Sequence, residues 1–230
     1  MTTGHLILSN NYVDFGDKSY TIQIGGQLNG TAAKNSSSNR FYYVQIFDME
    51  KLVRDMIPVR RRSDGKVGFY DKVESKFYPS NTTSDLIASP NLTGAVIEET
   101  YDRVPYLHSD TSKKAYMFTY VNNSSTIRTV GKISFDNVNT THYFAGSYES
   151  GKQNHIGIYQ GKLFYRFNGA EAVPVAGASV NANTDYEFEM GQYHVKLGPY
   201  EYDISGVTYA QSGNMMELFG AYGKSGGGEG

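Results

Sequence analysis

Two glutamates on one predicted strand are the first candidates for chemistry in this sequence. In "YEFEMG", Glu187 and Glu189 stand two positions apart, and residues at that spacing along a strand share one face, about 7 Å apart. A glycoside hydrolase uses paired carboxylates at such distances as acid and base. The competing interpretation, which the alternation favours, is a solvent-facing polar strip with Tyr186 and Phe188 buried between the glutamates.

Other catalytic and metal-binding patterns are absent from the sequence. It has no cysteine, no Gly-x-Ser-x-Gly elbow, no Walker loop and no dinucleotide fingerprint. The five histidines lack the spacing of a zinc motif; they are His5, His108, His142, His155 and His194. The loops at 136–139 and 181–185 offer the oxygen ligands that calcium prefers, but neither has EF-hand spacing. We therefore expect no enzyme and no cofactor, and calcium stays open without an identifiable site.

Residues 147–167, "SYESGKQNHIGIYQGKLFYRF", concentrate the groups that bind sugars. Tyrosine rings stack on sugar faces, amides fix hydroxyl groups, and repeated copies strengthen such weak sites. The candidate ligand contacts are Tyr148, Gln153, Asn154, His155, Tyr159 and Tyr165. The alternative is that Tyr159 and Tyr165 pack on an opposite sheet and that the polar residues only build a loop.

The composition indicates an all-β protein. The 230 residues include 20 Tyr, 12 Phe and 25 Gly, a mixture of strand-forming rings and turn formers. Short alternating runs recur at intervals of roughly 8 to 15 residues, as in sandwiches and barrels. The chain is long enough to form one large β domain.

Charge and hydropathy limit the partners. The net charge of −2 gives no long-range attraction to nucleic acid, and the arginine run at 60–62 is too short to form a basic patch. No stretch approaches 18 apolar residues, and the N-terminus lacks the pattern of a signal peptide. We expect no nucleic-acid partner and no membrane insertion.

Two turns and two strands allow specific predictions. Asp64-Gly65 in "RSDGKV" predicts a hairpin with a type I′ two-residue turn, and Gly161 in "YQGKLFY" predicts a second tight hairpin. The run "KLVRDMIPVRR" predicts a strand near a sheet edge, because Pro58 removes an amide from the ladder. The run "FYYVQIF" predicts a central strand that is apolar on both faces, with alternation separating Phe41, Tyr43, Gln45 and Phe47 from Tyr42, Val44 and Ile46.

Residues 40–79 resemble a known module. The aromatic-Asp pair Phe47-Asp48, the run "LVRDMIPVRR", the hairpin "DGKVGFYD" and the aromatic "KFY" resemble the closing segment of concanavalin-A-like, laminin-G-like jelly-roll modules of phage virion and bacterial surface proteins. The later strands resemble the rest of that module more loosely. The resemblance implies an antiparallel two-sheet jelly-roll sandwich and a virion or cell-surface context, and it implies no catalytic residue.

The position of this segment, early in the chain, requires an explanation. We divide the chain into an N-terminal β extension (1–39), the closing segment (40–80), a linker (81–94) and the main part of the jelly roll (95–230). The closing segment and the main part together approximate one module in permuted order, and termini that lie close together tolerate such permutation. Two alternatives are exchange of the closing segment with a neighbouring subunit and a truncated fragment.

These observations predict a non-enzymatic protein, and the resemblance implies a phage structural protein. The expected role is attachment to a host-surface polysaccharide, as a homo-oligomer among other virion subunits. The virion is the expected location, with the bacterial cell surface as the alternative. Two other functions stay open: a capsid- or tail-associated decoration protein without a sugar ligand, and a relative of the glycoside hydrolases.

Overall fold

The structure, a computed structural model, describes residues 27–29, 32–34, 39–79, 86–90, 96–97, 100–109, 117–122, 125–139, 142–149, 152–166, 173–191, 193–206 and 215–218. These residues form strands and turns and contain no helix. The strands are β1 (Gln27–Asn29), β2 (Ala32–Lys34), β3 (Asn39–Asp48), β4 (Lys51–Arg61), β5 (Val67–Asp71), β6 (Lys76–Pro79), β7 (Ile87–Ala88), β8 (Val96–Ile97), β9 (Tyr101–Arg103), β10 (Leu107–Ser109), β11 (Met117–Asn122), β12 (Ile127–Phe135), β13 (His142–Glu149), β14 (Lys152–Tyr159), β15 (Lys162–Arg166), β16 (Val173–Ser179), β17 (Asp185–Met190), β18 (His194–Leu197), β19 (Tyr200–Asp203) and β20 (Met215–Leu218).

The strands form two main sheets. The larger sheet has the order β19-β18-β17-β12-β3-β4-β5-β6, with β10 and β7 attached at β3 and with β9 and β8 attached at β4. The second sheet has the order β11-β20-β13-β14-β15-β16, and β1 pairs separately with β2. All of these pairs are antiparallel. The expected all-β antiparallel fold with two sheets is confirmed, and the jelly-roll connectivity stays a prediction.

Aromatic rings join the two sheets. Phe144 of β13 packs 5.4 Å from Phe135 of β12 and 5.3 Å from Phe188 of β17, measured between ring centroids. Phe41 of β3 lies 5.9 Å from Phe188, and all four side chains are buried. Because burial of each ring stabilises the fold by roughly 1.5–3 kcal/mol, this cluster holds the sandwich closed.

The strand β3 occupies a central position in the large sheet. It pairs with β12 on one side and with β4 on the other, all within the same chain. In the structure, residues 39–79 therefore extend a sheet that the later strands of their own chain build. The strand at 215–218 lies in the second sheet, beside β11 and β13. The domain boundaries themselves stay predictions.

The prediction that β4 lies near a sheet edge is wrong. Its first half pairs with β3, and its second half lies between β5 and β9. The Pro58 carbonyl accepts a hydrogen bond from the Val104 amide at 3.1 Å, on the side of β4 that faces β9. The nitrogen of Pro58, which has no hydrogen to donate, faces that side too. Because β9 ends at Arg103, no strand residue there needs a hydrogen bond from Pro58. The proline therefore interrupts no ladder bond to β5.

Both predicted hairpins form, but only one has the predicted turn. The β14–β15 turn contains two residues, Gln160 and Gly161, with φ angles of 48° and 74°, as a type I′ turn requires. The β4–β5 loop contains five residues, 62–66, and includes a hydrogen bond of 2.9 Å from the Gly65 amide to the Arg61 carbonyl. Only Gly65 has a positive φ angle there, 70°, so the two-residue type I′ turn predicted at Asp64-Gly65 is wrong.

Several predicted elements lie outside the described residues. They include most of the predicted N-terminal β extension (1–39), with its two strand-like runs "HLILSN" and "SYTIQIG", and the glycine-rich sequence at the C-terminus, "GKSGGGEG". The expected linker at 81–94 contributes β7, which pairs with β10. In the described part of the chain, no helix is long and apolar enough to cross a membrane.

Candidate functional site

The carboxylates of β17 lie on the outer face of the large sheet. Tyr186 and Phe188 are buried, whereas Asp185 and Glu187 are exposed and Glu189 is half-buried. The polar strip predicted for "YEFEMG" is therefore confirmed. Glu187 and Glu189 share a face, as the alternation of a strand requires.

A β-bulge turns two consecutive tyrosines toward the same face. Tyr43 lies opposite Lys132 on β12, and Phe41 lies opposite Ile133, so Tyr42 has no partner on that strand. The extra residue reverses the alternation. Phe41 and Val44 are therefore both buried, and Tyr42 and Tyr43 both lie outside. The strict alternation predicted for "FYYVQIF" is wrong for this reason.

Side chains of three adjacent strands form parallel rows on this surface, which we call the three-row face. The aromatic row lies on β3, the cation row on β12 and the carboxylate row on β17. The members are Tyr42, Tyr43 and Phe47; Lys132 and Arg128; and Asp185, Glu187 and Glu189. Unlike the six candidates of residues 147–167, these side chains come from segments far apart in the sequence.

Each cation is held between a ring and a carboxylate. The Lys132 Nζ atom lies 2.9 Å from Asp185 Oδ2 and 4.8 Å from the centre of the Tyr42 ring. The Arg128 guanidinium lies 4.3 Å from the centre of the Phe47 ring, and its Nη1 atom lies 3.4 Å from Glu189 Oε1. Cation–π contacts and ion pairs therefore fix both ends of the three-row face.

The two tyrosine hydroxyl groups donate to the carboxylate row. Tyr42 donates to Asp185 Oδ1 at 2.6 Å, and Tyr43 donates to Glu187 Oε2. Burial, together with these hydrogen bonds, raises the pKa of Tyr42 and of Tyr43. Burial acts to raise the pKa of Asp185 as well, but the hydrogen bonds from Tyr42 and Lys132 outweigh it and lower that pKa. The pairs therefore stay hydrogen-bonded at neutral pH.

The two loops considered for calcium meet at one end of the large sheet. The Asn183 amide donates to the Phe135 carbonyl at 2.7 Å. Asp136 forms an ion pair with Arg40 and a hydrogen bond with the His108 ring, each at 2.6 Å. Among the described residues, no group of three or more His, Cys, Asp or Glu side chains is arranged to hold a metal ion.

The structure does not bring the six predicted glycan contacts together on one exposed surface. Asn154 and His155 are buried, and the His155 ring packs 4.6 Å from the Tyr143 ring. Tyr165 is 7% exposed, and its ring centre lies 5.4 Å from that of Tyr202 in the opposite sheet, so Tyr165 packs on that sheet as the alternative interpretation expected. Tyr159 is 44% exposed. Tyr148 and Gln153 lie opposite each other on β13 and β14, and their side chains are outside the described residues.

The arginines that follow Arg60 form ion pairs at the surface. Arg61 pairs with Asp64, and Arg62 pairs with Asp102, each at 2.6 Å. The hydrogen bonds from Arg61 lower the pKa of Asp64 to about 2. The arginine run therefore lies at the end of β4 and in the following loop, and Arg61 and Arg62 are paired with carboxylates there.

Comparison of the chain with protein-family models, with curated proteins and with solved structures gives no match.

Proposed function

We propose that this chain is a non-enzymatic attachment module of a phage virion that binds host-surface polysaccharide through the three-row face. The arrangement of aromatic, cation and carboxylate rows on the outer face of the large sheet carries the proposal. The resemblance of residues 40–79 to virion modules supports the location, with a bacterial cell surface as the alternative.

The chemistry of the three-row face suits a sugar polymer. Aromatic side chains with a polar end bind sugar faces, and carboxylates accept hydrogen bonds from hydroxyl groups. Tyr42 and Tyr43 are already held by hydrogen bonds to Asp185 and Glu187. Groups fixed in advance lose little conformational entropy when a ligand binds, so even a shallow face can bind selectively.

The contacts of the two glutamates favour binding over hydrolysis. Glu189 Oε1 lies 3.4 Å from Arg128 Nη1 and 3.1 Å from His194 Nε2, and Glu187 accepts a hydrogen bond from Tyr43. A glycosidase needs one carboxyl group that donates a proton and another that acts as base or nucleophile. We expect no cleavage, and polysaccharide hydrolysis that Glu187→Gln or Glu189→Gln abolishes would contradict this part of the proposal.

Multiple copies would provide the affinity that one shallow face lacks. When binding sites are linked in one assembly, a second contact becomes intramolecular, and avidity exceeds the affinity of one site. A homo-oligomer, or an array of chains among other virion subunits, would present the three-row face repeatedly. We therefore propose attachment by many weak contacts.

Retardation of the purified chain in gels that contain a polysaccharide tests the proposal. The gels contain dextran, mannan or galactomannan. We expect at least one polymer to retard the wild type, and Tyr42→Ala and Tyr43→Ala to weaken that binding several-fold. Tyr159→Ala is the matched control, because Tyr159 is an exposed tyrosine of the second sheet. If Tyr159→Ala weakens binding and the Tyr42 and Tyr43 variants do not, residues 147–167 contain the site.

A further inference from the structure

Glu187 differs from the two carboxylates beside it. Asp185 forms an ion pair with Lys132, and Glu189 forms an ion pair with Arg128 and lies 3.1 Å from His194 Nε2. Within the described residues, Glu187 has no such cation and receives only the hydroxyl group of Tyr43, on its Oε2 atom. Its side chain is exposed. The centre of the carboxylate row therefore presents a carboxylate that forms no ion pair with any described residue, although Lys132 lies opposite it on β12.

We propose that Glu187 is the ligand-binding carboxylate of the three-row face and that it selects a neutral, hydroxyl-rich polysaccharide. This inference rests on the proposed function. The Tyr43 hydroxyl holds Oε2, and Oε1 is left to accept a hydrogen bond from a sugar hydroxyl group. Asp185 is paired with Lys132 and Glu189 with Arg128, so Glu187 is the carboxylate of this row that is left for a ligand.

The charge of the surrounding surface supports a ligand without acidic groups. On β18, Val195 and Leu197 are buried, so Lys196 points outward, and on β19 Glu201 and Asp203 share that outer face. From β12 to β19, five carboxylates therefore face outward with three Lys or Arg side chains: Asp185, Glu187, Glu189, Glu201 and Asp203 with Arg128, Lys132 and Lys196. An acidic polymer would be repelled, because like charges across an interface oppose binding.

Gel retardation with two sets of polymers tests the inference. The neutral set is dextran, mannan and galactomannan, and the acidic set is polygalacturonate and hyaluronate. We expect a neutral polymer to retard the wild type and both acidic polymers to fail. Glu187→Gln removes the charge with little change in shape and should weaken binding by about tenfold, because it weakens a hydrogen bond to a charged group.

The matched control is Glu201→Gln. It makes the same charge change on the same face but outside the three rows, and we expect it to bind like the wild type. If a neutral polymer binds and the two variants behave alike, the role of Glu187 is wrong while the proposed function stands. Retardation by the acidic polymers as strong as by the neutral ones also overturns the inference. If no polymer retards the wild type, the proposed function fails, and the inference fails with it.

Discussion

The hydroxyl group of Tyr43 donates a hydrogen bond to the carboxylate of Glu187 two strands away. Tyr43 lies opposite Lys132 on β12, and Lys132 lies opposite Glu187 on β17. Because neighbouring strands are about 4.8 Å apart, the contact joins backbones about 10 Å apart, and the Tyr43 side chain must lie across β12. Tyr43 faces outward by ordinary alternation with Gln45 and Phe47, and the bulge adds Tyr42 to the same face, since strict alternation would turn only one of the two tyrosines outward.

The raised pKa values of three tyrosines predict weakening of the fold at alkaline pH. Burial, with hydrogen bonds to Asp185, Glu187 and Glu74, raises the pKa of Tyr42, Tyr43 and Tyr78. The folded protein then retains protons that the unfolded chain releases. Their stabilisation is full below the unfolded pKa of about 10 and is lost as the pH rises through the folded pKa.

Urea unfolding between neutral pH and about pH 11 measures this effect. We expect the free energy of unfolding to fall above about pH 10 in the wild type and to fall less steeply in Tyr43→Phe, which lacks one of the three groups. At neutral pH, Tyr43→Phe should lower the free energy of unfolding by no more than about 1 kcal/mol, because the lost hydrogen bond is exposed. If the unfolding free energy of the wild type and of Tyr43→Phe changes identically with pH, Tyr43 does not contribute to the pH dependence.

Substitution of Gly131 should destabilise the sandwich. A Cβ atom at this position would lie 2.6 Å from the Phe188 ring and 2.7 Å from the Tyr43 carbonyl oxygen, which is backbone and cannot move aside. We expect Gly131→Ala to lower the free energy of unfolding by about 1–3 kcal/mol or more. Gly206→Ala is the control, because a Cβ atom there meets nothing within 4 Å. Equal stability of the two variants would show that β3, β12 and β17 do not pack as described.

Substitution of Arg54 should lower the free energy of unfolding more than substitution of a surface arginine. Arg54 is 9% exposed and binds the Thr119 carbonyl at 2.9 Å and Glu74 at 2.7 Å, close to the buried carboxylate of Asp71. Arg54→Met leaves Asp71 buried with its cation removed, and we expect a loss of about 3–5 kcal/mol in unfolding free energy. Arg62→Met, which breaks an exposed pair with Asp102, should cost at most about 1 kcal/mol. A similar decrease in unfolding free energy in both variants would contradict the buried contacts described for Arg54.

A pair of introduced cysteines can show which chain β3 completes. The sequence has no cysteine, and Gln45 lies directly opposite Val130 on β12, at a separation that suits a disulfide. We expect Gln45→Cys/Val130→Cys to form a cross-link within one chain, seen on a denaturing gel as a monomer that migrates faster without reducing agent than with it. Gln45→Cys/Tyr159→Cys, with its cysteines in different sheets, should not form one. A covalent dimer of the first variant would indicate exchange of β3 between subunits.

The alternation of apolar and polar residues, together with turn residues, was enough to predict most strands and hairpins. It also predicted that Glu187 and Glu189 form a polar strip that faces solvent. It could not predict the bulge at Tyr42, because a bulge depends on the register with a partner strand. The burial of Arg54 could not be predicted from local pattern either. A charged side chain is buried only where residues distant in the sequence, here Asp71 and Thr119, pair with it. For the same reason, sequence proximity grouped the residues at 148–165 into a site, whereas the three-row face combines segments about 140 positions apart.

Carbodiimide labelling of carboxylates, read by mass spectrometry with and without a retarding polysaccharide, tests the central claim most directly. The claim is that a polysaccharide binds over Glu187. We expect Glu187 to be labelled in the free protein and protected in the complex, while Glu201 is labelled equally in both. Unchanged labelling of Glu187 in protein that demonstrably holds the polysaccharide would contradict the claim.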